Sequence, residues 1–262
     1  MDPLDGLTKE RLFEIAQGVG QRRGWDFSAV RDARDPVPWD YEAVVRRYLR
    51  PGDRALDCGT GGGERFLALR DAYAWGLGVD PDPAMLAAAR ANAAALGAAH
   101  VSFAQGRAEA LPAQDASVDV ALNRHANVDV GETLRVLRPG GLFLTQQVGA
   151  RNLGAICATF GCGPGGEYAH DPEGTIYRLA DAFRAQGGAV LAVAEYDVPY
   201  TLLDVASLLY LLMGVGIPED FDLETHWPQV LEIVARCRTP RGVAPHGIRT
   251  NEHRELLIVR KG

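Results

Sequence analysis

The sequence predicts an α/β protein with a doubly wound, mostly parallel sheet, and three observations carry that expectation. First, the short approach Arg54-Ala55-Leu56 ends at Asp57 and runs into Cys58-Gly59-Thr60-Gly61-Gly62-Gly63 before a helical pattern opens at Glu64. Glycine serves where the backbone must turn sharply or touch a ligand, because no Cβ intrudes. A strand, a glycine turn and a helix start together make a cofactor crevice of the doubly wound type. Second, Trp75–Val79 reads as another strand, ending at Asp80, 23 residues after Asp57. An acidic residue at roughly that interval, about 20 residues on, meets ribose hydroxyls in βαβ nucleotide folds. Third, short extended segments alternate with helical ones along most of the chain.

Composition narrows the function. At 262 residues the chain has ample core for one large α/β domain or slightly more. No apolar run reaches the ~18 residues of a membrane helix, and the acidic start MDPLDGLTKE lacks a signal core, so the expected location is cytoplasmic. The net charge of −7 disfavours a nucleic-acid substrate, since phosphate backbones are gripped by a basic field. Cys58, Cys157, Cys162 and Cys237 match no zinc spacing and read as reduced thiols, and no metal is expected.

The elements follow in order. Lys9–Gly20 is a helix with Leu12, Phe13, Ile15, Ala16 and Val19 as its apolar residues. Pro36–Leu49 begins extended, because Pro38 restricts Val37, and becomes helical after Asp40, a capping residue. Val44, Val45, Tyr48 and Leu49 make its apolar face. Trp25, Phe27, Trp39 and Tyr41 lie close together, so residues 1–50 read either as a helical lid over a ligand or as a segment packed on the sheet; residues 51–262 form the main domain. The first strand is Arg54–Asp57 and its helix Glu64–Tyr73. A second helix starts at Asp82 or Pro83 and stops near Gly97. Val101–Gln105 and Ser117–Leu122 are the third and fourth strands, Gly131–Leu137 a helix, and Pro139-Gly140 a tight turn into a fifth strand that ends at Gln146 and Gln147. Those two side chains are expected to point to opposite faces. Residues 152–174 read as a gating loop or as a disordered connection. Thr175–Gln186 is a helix and Ala189–Val198 the sixth strand. A helical insertion covers about 200–237, with Leu202–Met213 either a buried helix or a dimer contact, followed by Leu223–Cys237. Asn251–Arg260 is the terminal strand.

The glycine spacing helps choose the cofactor. A nicotinamide or flavin fingerprint wants G-x-G-x-x-G. Here the third glycine comes one residue early, at Gly63, and Asp57 stands where dinucleotide folds usually carry an apolar residue. The arrangement D-x-G-x-G-x-G resembles motif I of the class I S-adenosylmethionine (SAM) methyltransferases. The segment VDPDPAMLAAARANAA, Val79–Ala94, resembles their next motif, GRAEALP, Gly106–Pro112, their third-strand turn, and Arg138-Pro139-Gly140-Gly141 their turn into the fifth strand. Pro38-Trp39-Asp40-Tyr41, Arg124-His125 and Gln146-Gln147 are similar to a functionally unassigned bacterial subgroup of the methyltransferase type 11 kind. The resemblance covers roughly Asp53–Asn152.

This resemblance implies a seven-stranded sheet of order 3-2-1-4-5-7-6 with helices on both faces. It implies SAM as cofactor, with S-adenosylhomocysteine as product. Asp57, Gly59, Thr60, Gly61 and Gly63 would receive the amino-acid end, with the Glu64 helix lending positive potential. Asp80 would hold ribose; its other reading is a turn or capping aspartate. Pro81 would line adenine. Where relatives carry an aspartate this chain has Arg107, which stacks on adenine or is an exposed arginine, while Ala108 offers its N–H. Asn123 and His125 follow the fourth strand on the ligand side. His125 is the candidate base or a structural histidine. Trp39, Tyr41 and Gln146 are candidate acceptor contacts. The implied activity is in-line methyl transfer to a small molecule. A protein or RNA methyltransferase, a SAM-fold enzyme of another reaction type and a non-catalytic SAM-binding protein are the other readings.

Overall fold

The structure is a computed structural model describing residues 4–20, 27–162 and 175–262. Trp25 and most of the expected loop over 152–174 lie outside the described residues. The chain divides into two compact units: Pro38–Val148, Glu173–Glu195 and Arg254–Gly262 form a sheet unit, and Met1–Val37, Gly149–Pro172 and Tyr196–His253 a helical unit. Residues 38–50 therefore belong with the glycine turn rather than with the preceding segment.

The sheet unit holds α2 (Tyr41–Arg46), β2 (Arg54–Cys58), α3 (Glu64–Ala68), β3 (Trp75–Asp80), α4 (Pro83–Ala95), β4 (Val101–Gln105), β5 (Val118–Arg124), α5 (Val130–Val136), β6 (Leu137–Val148) and α7 (Thr175–Ala185). It also holds the first part of β7 (Gly188–Leu202) and the last part of β8 (Ile248–Lys261). β4, β3, β2, β5 and β6 pair in parallel, and β8 pairs with β6 antiparallel. The eight strands run in the order β1-β7-β8-β6-β5-β2-β3-β4, which is the expected seven-strand order plus one edge strand, β1 (Asp32–Arg34). That strand, three residues long and largely exposed, is not among the expected ones.

Strand side chains alternate between two cores, as a doubly wound sheet requires. Ala55, Val120, Leu122, Leu144 and Ile258 join Val45 of α2, Phe66 of α3 and Ala93 of α4. Leu56, Ala121, Phe143, Leu257 and Val259 join Leu134 of α5 and Ile176, Ala180 and Phe183 of α7. Asp40 caps α2 by accepting the Ala43 N–H at 2.9 Å, and Asp82 caps α4 through Ala84 N–H at 2.7 Å with Pro83 in the first turn.

Three elements depart from the sequence expectation. The helix expected over Glu64–Tyr73 stops at Ala68 and continues as a single 3₁₀ turn, Arg70–Ala72. The expected turn at Pro139-Gly140 lies inside β6, with Gly140 at φ +77° and a register shift between Val118 and Val120 of β5. A short helix, α6 (Gly154–Thr159), occupies the start of the expected loop.

The helical unit contains α1 (Lys9–Gly18), β1, α6, α8 (Val205–Val215) and α9 (Leu223–Cys237). α8 is its central helix: Leu208, Leu209 and Leu212 are fully buried against Leu12, Ile156, Val230 and Ile233. Among the described residues no helix is long and apolar enough to cross a membrane.

Candidate active site

The carboxyl ends of the parallel strands carry the sequence-predicted residues other than Trp39 and Tyr41, which lie just before and at the start of α2. After Cys58 the backbone turns through Gly59, Gly61 and Gly63 at φ +79°, +54° and +76°, the left-handed region that favours glycine. The end of β3 holds this turn: the Gly59 and Thr60 N–H groups donate to the Val79 carbonyl at 2.8 and 3.0 Å, and the Gly61 N–H donates to Asp80 Oδ2 at 2.9 Å. Asp80 Oδ1 accepts the Asp82 N–H at 3.0 Å. Asp80 is buried, and its two oxygens each keep a second lone pair. A Cβ at Gly59 would overlap that of Ala126. Because α3 has only five residues, the macrodipole expected from a ten-residue helix at Glu64 is correspondingly weak.

Asp57 lies beneath the turn. Burial pushes its carboxyl up to about 6; Thr60 and Arg124 pull it down, and Asp80 adds to the rise. The buried Thr60 hydroxyl is close enough to favour the carboxylate, yet it meets no partner at hydrogen-bonding geometry among the described residues. Burial likewise pushes the Cys58 thiol up to about 12, with Asp57 contributing, so it stays a thiol. A turn that admits close backbone approach, a carboxylate short of positive charge and an orphaned hydroxyl together suit a cationic, hydroxyl-rich ligand.

On the adenine side implied by the resemblance, Pro81 is exposed and its carbonyl accepts Gln105 Nε2 at 3.0 Å. Ala108 is buried. Arg107 is exposed, and its carbonyl accepts the Ala110 N–H at 3.1 Å.

Beyond β5 the side chains form two hydrogen-bonded groups. Asn123 is fully used within the protein: Nδ2 donates to the carbonyls of Cys58 (3.1 Å) and Asn127 (3.0 Å), and Oδ1 accepts from Thr145 Oγ1 (3.0 Å) and Gln147 Nε2 (2.7 Å). The side chain thus keeps no hydrogen-bonding capacity for the cofactor contact expected of it. The Tyr41 hydroxyl is likewise bonded within the protein. Buried, it shares its one proton between the Asn123 and Leu144 carbonyls, at 3.0 and 3.3 Å, and burial holds its ionisation far above the ordinary range.

The second group joins three predicted residues. Trp39 Nε1 donates to Gln146 Oε1 at 3.0 Å, and Gln146 Nε2 lies 3.4 Å from His125 Nε2. His125 sits at φ +57°, an uncommon angle for a non-glycine residue, and its N–H donates to the Gln146 carbonyl at 2.9 Å. Burial, followed by Arg124, Arg254 and Arg65, drives its imidazole down to about 2. The near-neutral base expected at His125 is therefore a neutral imidazole. Gln147, bonded to Asn123, Ala126 and Thr145, points away from Gln146, as the period-two expectation requires.

With that geometry in place, the comparisons with known proteins are specific. Residues 55–141 match the family described as "Methyltransferase domain". Over those residues the chain carries a methyltransferase domain. Over 104 residues it is 38% identical to an arsenite methyltransferase of Halobacterium salinarum, covering 36% of this chain and 26% of that protein. It is 36% identical over 102 residues to the uncharacterized methyltransferase YcgJ of Bacillus subtilis, covering 36% and 40%. These matches span less than half the length of either curated relative. The crystal structure of YcgJ superposes with a TM-score of 0.59 at 20% identity, over 84% of this chain and 97% of that one, a likeness of fold.

Sequence reasoning missed Thr145, which with the expected Gln147 braces Asn123, and the two glycines of β3. A Cβ at Gly78 would press on Phe103 at 2.6 Å and Thr60 at 2.9 Å, and one at Gly76 on Tyr73 at 2.7 Å. The alternation Gly76-Leu77-Gly78 is the signal that could have found them, because small residues on one face of a strand mark a close approach.

Proposed function

We propose that the chain transfers the methyl group of SAM to a small-molecule acceptor. The observation that carries this reading is the pairing of a glycine turn held by Asp80 with a buried, charge-seeking Asp57. When bound, the cofactor supplies a methyl carbon activated by a positively charged sulfur. Asp57 and Thr60 receive the ammonium and carboxylate end, and the backbone at Gly59, Gly61 and Gly63 admits its close approach. Asp80 uses its remaining lone pairs for ribose hydroxyls, an arrangement in which one carboxylate serves the turn and the ligand together. Pro81, Ala108 and the exposed Arg107 border the base.

Methyl transfer to a nucleophile is an in-line displacement in which alignment and exclusion of water do most of the work. The electron pair for the new bond would come from the acceptor, and the part of this chain would be to align it with the methyl group and exclude water. The residues beyond β5 and β6 hold the acceptor. The net charge of −7 supports a small acceptor over a nucleic acid. Calorimetric titration with SAM, S-adenosylhomocysteine and NAD tests the cofactor: micromolar binding of the first two and none of NAD is expected, and NAD binding alone would overturn the reading. An acceptor screen with labelled methyl groups then tests turnover.

A further inference from the structure

The chain Trp39–Gln146–His125 fixes a protonation state by donor and acceptor chemistry alone. An indole nitrogen only donates, so the Gln146 amide must turn its oxygen to Trp39, at 3.0 Å, and its NH₂ to His125. Two donors cannot face one another, so His125 Nε2 must be the acceptor and the ring proton must reside on Nδ1. The backbone bond from His125 N–H to the Gln146 carbonyl at 2.9 Å locks the two residues in this register. Gln146 is buried, so water does not readily substitute for either partner.

The charges facing the ring are positive. Arg124 precedes His125 and stands opposite Gln146 in the β5–β6 register; Arg254 stands opposite Val148, two residues further along β6. Arg65, on α3, also acts on the ring; it is paired with Glu42 at 2.8 Å, and Arg124 and Arg254 have interactions of their own. A neutral N–H donor amid guanidinium groups suits an anionic oxygen, whereas it would serve poorly for taking a proton from a neutral nucleophile.

We propose that Trp39 and Gln146 are positioning residues that hold His125 as its Nδ1–H tautomer, and that this N–H receives an anionic oxygen, a carboxylate or an ionised phenol or enol, of the methyl acceptor. That the oxyanion belongs to a methyl acceptor rests on the function proposed above; the tautomer does not. An acceptor that arrives ionised brings its own electron pair, so a site lacking a histidine base is suited to it.

The test uses the full chain labelled with ¹⁵N and two-bond ¹H–¹⁵N spectra of the histidine rings, without cofactor. The wild type is expected to show His125 as a neutral Nδ1–H ring from pH 5 to 8 on the scale of histidine's ordinary pKa of about 6.5. An Nε2–H ring, or titration near that value, would overturn the assignment. Gln146→Glu presents an acceptor to the ring and is expected to move the proton onto Nε2; a folded variant that keeps the wild-type tautomer would overturn the positioning role. Because a buried glutamate threatens folding, Trp39→Phe is the second variant. It removes the indole donor, frees the amide to flip, and is expected to populate both tautomers; an unchanged single tautomer would again overturn the role. Titration with benzoate and benzamide reads the oxyanion: benzoate should shift the Nδ1–H resonance saturably and benzamide should not. Equal shifts, or none with either, would overturn the substrate class. Failure of SAM to bind in calorimetry, with the tautomer intact, would sink the proposed function alone.

Discussion

His125 and Gln146 are joined twice, by the main-chain bond from His125 N–H to the Gln146 carbonyl at 2.9 Å and by the 3.4 Å approach of the Gln146 amide to the imidazole. The first bond returns the chain to β6 just after β5 ends and stabilises the left-handed backbone of His125. The second binds the ring in its neutral form. Beside them, Asp57 is the opposite case: a carboxylate that burial drives toward its neutral form and that gains from any cation brought to it.

These two groups should tilt the pH profile of stability in opposite senses. His125, lowered to about 2 in the folded chain, contributes stability that is present above the unfolded value of about 6.5 and is lost as pH falls below it. Asp57, raised to about 6, contributes stability that is present below the unfolded value of about 3.9 and is lost as pH rises through 6. Thermal melts of the ligand-free chain should respond accordingly. Asp57→Asn should gain at pH 8, by up to about 3 kcal/mol for a shift of about two units, and fall more steeply with acid than the wild type. A variant whose gain is the same at pH 4 and 8 would show that the Asp57 charge is not what burial penalises.

Cofactor affinity should carry the reverse signature. A cation paired with Asp57 favours the carboxylate, so SAM affinity should be full above pH 6 and decline by up to tenfold per pH unit below it, with proton release on binding. Calorimetry in buffers of different ionisation heat measures that release. Identical heats across buffers at pH 5 would remove Asp57 from the ammonium contact.

Asp80 serves the turn as well as the ligand, so its two substitutions should separate the roles. Asp80→Ala removes the acceptors of the Gly61 and Asp82 N–H groups, at 2.9 and 3.0 Å, and should both destabilise the chain and weaken SAM binding by about 1.5–3 kcal/mol, the scale of lost charged hydrogen bonds. Asp80→Asn keeps one oxygen acceptor and should recover part of the stability but little of the affinity. Wild-type affinity in a folded Asp80→Ala variant would confine Asp80 to the turn.

What the sequence disclosed divides along physical lines. The glycine turn was legible because positive φ at Gly59, Gly61 and Gly63 demands a residue type, and Asp80 because its distance from Asp57 is set by one strand–helix–strand unit. The strand order was legible by resemblance, and the edge strand was not: Asp32–Arg34 has three residues and an exposed, charged pattern with no period to read. The internal partners of Asn123, Tyr41 and His125 were not legible. The roles of these residues depend on partners 21 to 103 positions away, such as Thr145, Leu144 and Gln146, which no local pattern encodes.

Tyr41→Phe tests that distinction for one of them. Removing the hydroxyl leaves the Asn123 and Leu144 carbonyls short of a donor in a buried place and should cost about 1 kcal/mol of stability. Because the ring remains, its place in the core that includes Val45 and Leu144 is kept, and the affinity for SAM should not change. A variant of unaltered melting temperature that loses activity toward an identified acceptor would instead return Tyr41 to the acceptor site.

Gly59→Ala combines two penalties at one atom. The backbone there is at φ +79°, a conformation that costs an L-residue about 1–2 kcal/mol, and the new methyl group would occupy the place of the Ala126 side chain. Relief requires either the turn or the segment after His125 to move, so the variant should lose stability and SAM affinity together. Gly59→Ala combined with Ala126→Gly separates the terms: it removes the overlap but leaves the φ cost, and should recover the larger part of both losses. Equal defects in the single and double variants would mean that backbone strain alone decides, and that the approach of Ala126 to the turn is incidental.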